Sequence, residues 1–155
     1  AEFGIRLFGL RALNALRLEK SYGSWSREYR PLYGPLEAGL ERFVALRKDA
    51  DFIGKAAAGA ERETGGTLRL RTFILDAKDA DVIGDEPIYL DGEVRGWVTS
   101  GGYAHAAGLS VAVGYVPKEI AEVATGWSIE LLGEVLPARL QAEPLFDPSG
   151  AKMRG

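Results

Sequence analysis

The chain has 155 residues, 46% of them hydrophobic and 26% charged, with 22 acidic against 19 basic side chains and a net charge of −3. These proportions belong to a folded domain with its own core rather than to a disordered segment. The charges are interspersed without a Lys/Arg block, which disfavours nucleic-acid binding through a basic face. No apolar run reaches the roughly 18 residues of a membrane span.

With no cysteine and a single histidine, His105, disulfides, thiol chemistry and Cys-ligated or multi-His metal sites are excluded within the chain. The lack of cysteine fits a reducing compartment: the cytoplasm or, in a eukaryote, the mitochondrial matrix. No secretory signal is visible. The chain opens on Ala1 and enters a helical pattern almost at once, which reads as a piece of a longer protein.

Residues 1–8 are apolar apart from Glu2 and Arg6. Leu10, Leu13 and Leu16, with Ala12 and Ala15, then recur at helical spacing and predict a helix over about 7–19. Residues 21–36 hold Tyr22, Trp25, Tyr29 and Tyr33 among Gly23, Pro31, Gly34 and Pro35, an irregular aromatic loop. Two readings stand for its rings: they cap the edge of the core, or some of them stack on a planar ligand. Leu40–Leu46 partly alternates and predicts a short strand. Asp51 is placed to cap a helix that runs from Phe52 towards Glu63. Gly65-Gly66 is the best internal boundary.

From Thr67 the apolar period changes to two, and Leu68–Leu75 predicts a strand. Lys78–Asp81 is a polar turn. Asp91-Gly92, between Pro87–Leu90 and Glu93–Val98, predicts a type I′ hairpin, because glycine accepts positive φ without steric cost. Gly96 inside the second strand suggests a bulge or the close approach of another backbone. Ser100-Gly101-Gly102 predicts a turn, Leu109–Val116 a strand, and Pro117–Thr125 a polar or single helical turn. Trp127–Leu132 and Glu134–Leu140 predict a further hairpin, with Pro144–Pro148 packed against it. Short strands at this spacing suggest a small Greek-key or jelly-roll barrel.

Few residue groups here carry chemistry. Gly65-Gly66 and Gly101-Gly102 are isolated and match neither dinucleotide nor P-loop spacing, so FAD, NAD and ATP are not bound by the usual motifs. His105 sits beside a glycine-rich stretch with nothing to specify a triad. Asp76, Asp79, Asp81, Asp85 and Glu86 form either a solvated hairpin end or a hard-cation site, without EF-hand spacing. Arg17 and Glu19, two apart on a helix, point in different directions and each call for a partner on another element. Arg71 lies opposite Leu70 and Thr72 on its strand, either exposed or reaching an anionic ligand.

Three stretches of the first half, Ala12–Lys20, Pro35–Leu40 and Asp51–Lys55, resemble the glycine-cleavage T-protein (aminomethyltransferase) family. So do Gly96–Tyr103, Val113–Val116 and Pro144–Pro148 in the second half. All occur in the family's order. Asn14 and Lys20 favour the branch fused behind FAD-dependent dimethylglycine and sarcosine dehydrogenases. The resemblance implies an α+β fold: residues 1–66 close an α+β folate-binding domain, and residues 67–155 form the family's C-terminal β-barrel. It also implies transfer of a one-carbon unit from an amine-derived intermediate to tetrahydrofolate, with FAD confined to a fused domain outside this chain. The family's folate-holding acid and catalytic Asp precede this chain, and Leu13 stands where the free T-protein has Arg, so no catalytic residue is assigned. Tyr22 and Trp25 are the expected ring contacts, and Arg71 the expected contact for the folate's anionic tail. The alternative is a non-catalytic docking barrel that closes the folate channel. The implied partners are the N-terminal half of the domain and the dehydrogenase, together with a homodimer through the apolar residues Phe3, Ile5, Leu7 and Phe8.

Overall fold

The computed structural model describes residues 2–155. It is mixed α and β: helix α1 (Leu10–Glu19), a 3₁₀ turn at Glu41–Phe43 and helix α2 (Lys55–Thr64) precede six strands. The strands are β1 (Leu68–Leu75), β2 (Pro87–Leu90), β3 (Glu93–Ala104), β4 (Leu109–Pro117), β5 (Trp127–Leu131) and β6 (Glu134–Gln141), followed by the short helix α3 (Ala151–Arg154).

The six strands close into an antiparallel barrel in the order β1-β4-β3-β2-β5-β6, with β1 paired to both β4 and β6. Hairpin-linked β2, β3 and β4, with β1 returning beside β4, make a Greek key. Closure gives every strand a neighbour on both sides; β1 meets β6 over Thr72–Leu75, and before that stretch its Leu70 N–H donates to the Glu37 carbonyl. The interior is filled by Phe73, Ile88, Val98, Ala112, Val116, Trp127 and Ile129. A second cluster, Leu18, Ile74, Ala104, Val111 and Val113, lies on the outer wall under α1. Phe73 and Ile74 therefore face opposite sides of the wall, as strand alternation requires, yet both are buried. This double cover explains why β4 is buried without interruption from Ser110 to Val116.

The first hairpin is built as its residues demand. Asp91 and Gly92 have φ of 52° and 83°, the two positive values of a type I′ turn. The strand register slips beside Gly96, and a Cβ there would lie 2.2 Å from the Tyr115 carbonyl oxygen. Both a bulge and a close backbone approach are present at that position. Leu132 and Gly133, at φ 53° and 86°, turn the β5–β6 hairpin in the same way.

Four local expectations are corrected. Leu40–Leu46 is not a strand. It holds the 3₁₀ turn: the Phe43, Val44 and Leu46 N–H groups donate to carbonyls of Leu40, Glu41 and Val44, so the backbone bonds within the segment and not to a strand. Asp51 does not cap α2: the preceding residue is Gly54, whose φ of 89° redirects the chain so that the helix opens at Lys55. Ser100-Gly101-Gly102 does not turn the chain; it lies within β3, where Gly101 lets the strand pass against the Val82 backbone. The 144–148 tail packs on α1 rather than on the β5–β6 hairpin: Leu145 joins the outer cluster and the Phe146 N–H donates to the Glu19 carbonyl at 3.0 Å.

Candidate functional site

Asn14 and Arg17 are one turn apart on α1 and share a face. The Arg17 Nε and Nη2 both donate to the Asn14 Oδ1, at 2.9 and 2.7 Å. The Arg17 Nη1 donates to the Glu28 Oε2 at 3.1 Å and to the Tyr22 carbonyl at 3.2 Å. Asn14 reaches the barrel through Nδ2, which donates to the Gly101 carbonyl at 3.4 Å. Asn14, Arg17 and Gly101 line a cleft of about 350 Å³ between α1 and β3, with Leu10, Leu13, Arg27 and Ser100.

Behind the cleft, Glu28 is fully buried. Its Oε2 accepts from the Ser24 N–H at 2.7 Å as well as from Arg17, and its Oε1 accepts from the hydroxyls of Thr99, at 2.6 Å, and Ser100. Simple alternation would send Thr99 and Ser100 to opposite faces. The β3–β4 register slips between Val98 and Ser100, and this bulge turns both hydroxyls onto one carboxylate. A buried carboxylate with its lone pairs occupied in this way avoids the cost of an unpaired buried charge.

Burial lowers the Arg17 pKa and the Glu28 charge opposes that shift. Guanidinium stays protonated throughout the accessible range. The Tyr115 hydroxyl donates to the Glu28 carbonyl at 2.8 Å, and the Tyr33 ring stacks on the Tyr115 ring at 3.9 Å. Burial, followed by the charges of its neighbours, pushes the Tyr115 pKa up, so it is a fixed donor rather than an acid.

The expected site residues fall in two places. Tyr22 is 43% exposed and adjoins the cleft through its carbonyl bond to Arg17. Trp25 is 83% exposed and meets the Tyr29 ring edge-on at 6.2 Å. Arg71 makes its contacts on the barrel wall: it donates to the Ala121 carbonyl at 3.1 Å and the Leu70 carbonyl at 2.9 Å, and forms an ion pair with Glu122. Glu19, like Arg17, has its partner on another element, accepting from the Ala106 N–H at 2.8 Å. His105 is exposed and edge-on to Tyr103. The acidic stretch is dispersed: Asp81 accepts from Ser110, while Glu86 caps the N–H groups of Ile83 and Gly84. Among the described residues no three acidic or histidine side chains converge on a metal position.

Sequence reasoning missed Glu28, Thr99 and Ser100 as one unit. The available signal was weak: adjacent Thr and Ser in an apolar strand, and an acid inside an aromatic loop.

The family described as "Glycine cleavage T-protein C-terminal barrel domain" matches residues 69–147, and the "GCVT N-terminal domain" matches residues 1–48. The chain belongs to the glycine cleavage T-protein family. It is 43% identical to the mitochondrial dimethylglycine dehydrogenase of Mus musculus over 155 residues, which are 99% of this chain and 18% of that protein. It is 30% identical to the mitochondrial sarcosine dehydrogenase of Homo sapiens, covering 100% of this chain and 18% of that protein. An aminomethyltransferase of Synechococcus sp. (strain CC9902) is 33% identical over 94% of this chain and 40% of its own length. The crystal structure of the glycine cleavage system aminomethyltransferase T from Bartonella henselae superposes with a TM-score of 0.81 at 25% identity, covering 90% of this chain and 39% of that one. The chain thus spans about a fifth of its dehydrogenase relatives.

Proposed function

We propose that this chain is part of a tetrahydrofolate-dependent aminomethyltransferase-like protein. In this reading a one-carbon unit passes from an amine-derived intermediate to tetrahydrofolate, coupled to an FAD-dependent dehydrogenase acting on dimethylglycine or sarcosine elsewhere in the longer protein. The observation that carries the reading is the cleft wall of Asn14 and Arg17, joined to the aromatic loop by the Arg17–Tyr22 carbonyl bond and by Ser24 and Ser26, the lining residues on either side of the exposed Trp25. A flat heterocycle with a polar edge needs that pairing: aromatic faces for the ring, and fixed amide and guanidinium groups for the edge. Tetrahydrofolate, when bound, supplies the amine nitrogen that accepts the one-carbon unit. Tyr22 and Trp25 contribute ring contact and exclude water. Arg17, held by Glu28, presents a permanent positive charge and does not act as a proton-transferring acid. Arg71 meets the anionic tail by exchanging Glu122 for a ligand carboxylate, a swap favoured by the high exposure of Glu122. The chain divides in function at Gly65-Gly66, and its site is the mitochondrial matrix in a eukaryote or the cytoplasm in a bacterium.

Titration of tetrahydrofolate by calorimetry tests this, with Tyr22→Ala and Arg71→Ala as controls. Binding that weakens in either variant supports a folate channel wall in this piece. Binding by a longer protein but not by this chain supports the second reading, a barrel that closes the channel and binds nothing alone. What favours that second reading is the ion pair already satisfying Arg71. Phe3, Ile5, Leu7 and Phe8 are each at least 66% exposed. Without the rest of the longer protein this face drives association of two copies; light scattering at high concentration should show a dimer, and a monodisperse monomer would count against it.

A further inference from the structure

Residues 145–154 make a strap across the end of α1. Leu145 packs on the outer cluster with Leu18, and the Lys20 ammonium donates to the Asp147 carbonyl at 2.6 Å and lies 3.5 Å from its carboxylate. These two side chains are only 13% and 4% exposed, so the pair is far less screened than a surface one. Asp147 itself is held at φ 47°, an uncommon conformation outside glycine. Its Oδ1 accepts from the Lys152 N–H at 3.2 Å, which folds α3 back towards the aromatic loop. There the Tyr22 hydroxyl donates to the Met153 Sδ at 3.6 Å. The Lys20 ammonium lies 5.9 Å from the Tyr22 ring centroid.

Lys20 and Met153, which lie against the Tyr22 side chain, are therefore both linked to Asp147, Lys20 directly and Met153 through the adjoining Lys152 N–H, and Tyr22 remains 43% exposed. We infer that the strap is a positioning device: Asp147, through Lys20 and Met153, presets the Tyr22 ring to stack on the flat ring of the ligand. The inference rests on the folate reading of Tyr22. A ring ordered before binding does not have to be ordered by the ligand, so the strap raises affinity without itself touching the ligand. Met153, Lys20 and Asp147 are positioning residues.

The chain contains one methionine, so labelling with methyl-¹³C methionine yields a single reporter on the strap. In the free chain its methyl signal is expected away from the position of free methionine. It should move in Tyr22→Phe, which removes the hydroxyl donor, and return towards the free position in Asp147→Ala, which removes the acceptor of the Lys152 N–H. Saturating tetrahydrofolate should shift it further. By calorimetry, Asp147→Ala and the mild Met153→Leu should each weaken tetrahydrofolate by about three- to tenfold at unchanged stoichiometry. A wild-type methyl signal at the free position would overturn the strap. So would full affinity in both strap variants while Tyr22→Ala loses binding, and in that case the folate reading would stand. If the wild-type chain does not bind tetrahydrofolate, the folate reading of this chain fails and the positioning role fails with it, whatever the methyl signal reports about the strap.

Discussion

Within the barrel, β4 is buried at every residue from Ser110 to Val116, and six of those seven are apolar or aromatic or glycine. Within residues 2–66 only Leu18, Glu19, Glu28 and Ala38 are buried, and two of these four are carboxylates. The barrel holds together by apolar layers on both faces of its wall. The preceding segment leaves many of its large apolar residues outside and is fastened to the barrel by Leu18 and by carboxylates. Glu28 takes the hydroxyls of β3, Glu19 takes the Ala106 N–H, and Glu37 takes the N–H groups of Thr67 and Leu68. A segment fastened through oriented polar bonds is set in one geometry, whereas apolar packing alone tolerates sliding.

Removing the central fastener should have the largest effect. Glu28→Ala leaves the Arg17 charge and the Thr99 and Ser100 hydroxyls without their partner, and should cost about 3–5 kcal/mol in chemical denaturation. A loss below about 1 kcal/mol would break the comparison, because the carboxylate would then be incidental to docking. Next comes the one large apolar side chain of residues 2–66 that is buried. Leu18→Ala, at a side chain 1% exposed, should cost about 2–5 kcal/mol. If α1 merely rests on the wall, the cost will fall short of that range.

A pH titration separates the polar fasteners from the apolar ones. Burial raises the Glu37 pKa, but the hydrogen bonds from Thr67, Leu68 and Gly34 outweigh it and hold the carboxyl below its ordinary value. A depressed folded-state pKa gives stability that is present above the unfolded value, near 4, and is lost as pH falls through the folded one. Stability should therefore decline below about pH 4, and Glu37→Gln should flatten part of that decline. An identical acid profile in the variant would remove Glu37 from the set of fasteners. The smallest effect is expected at Arg71, whose partner Glu122 is 79% exposed. Arg71→Ala should change stability by only about 0–1 kcal/mol. Any larger loss of tetrahydrofolate affinity would then report a ligand contact rather than damage to the fold.

How much was legible follows the same division. The β2–β3 and β5–β6 hairpins could be read from Asp91-Gly92 and from Gly133 between two β-rich runs, because turn chemistry acts within a few residues; the structure adds Leu132 to the second turn. The family resemblance, carried by short stretches in a fixed order, agrees with the match of residues 69–147 to the T-protein barrel. The segment before the barrel was harder to read. Leu40–Leu46 has an alternating pattern but bonds its backbone within its own turn, and Asp51 has capping chemistry three residues ahead of the glycine that opens the helix. The Glu28 site was not legible, because its donors come from Arg17, Ser24, Thr99 and Ser100, up to 72 positions away.

By itself the sequence determined the α+β class, the strand pattern of the barrel, and the turns that φ-permissive residues impose. Only the tertiary structure decided that Ser100-Gly101-Gly102 runs on inside β3, that the bulge at Thr99 aims two hydroxyls at one buried carboxylate, and that the tail at Asp147 returns to α1. The physical reason is range. Turn preference and periodicity depend on neighbouring residues, whereas barrel closure, a buried charge and its partners depend on segments that meet only once the chain has folded.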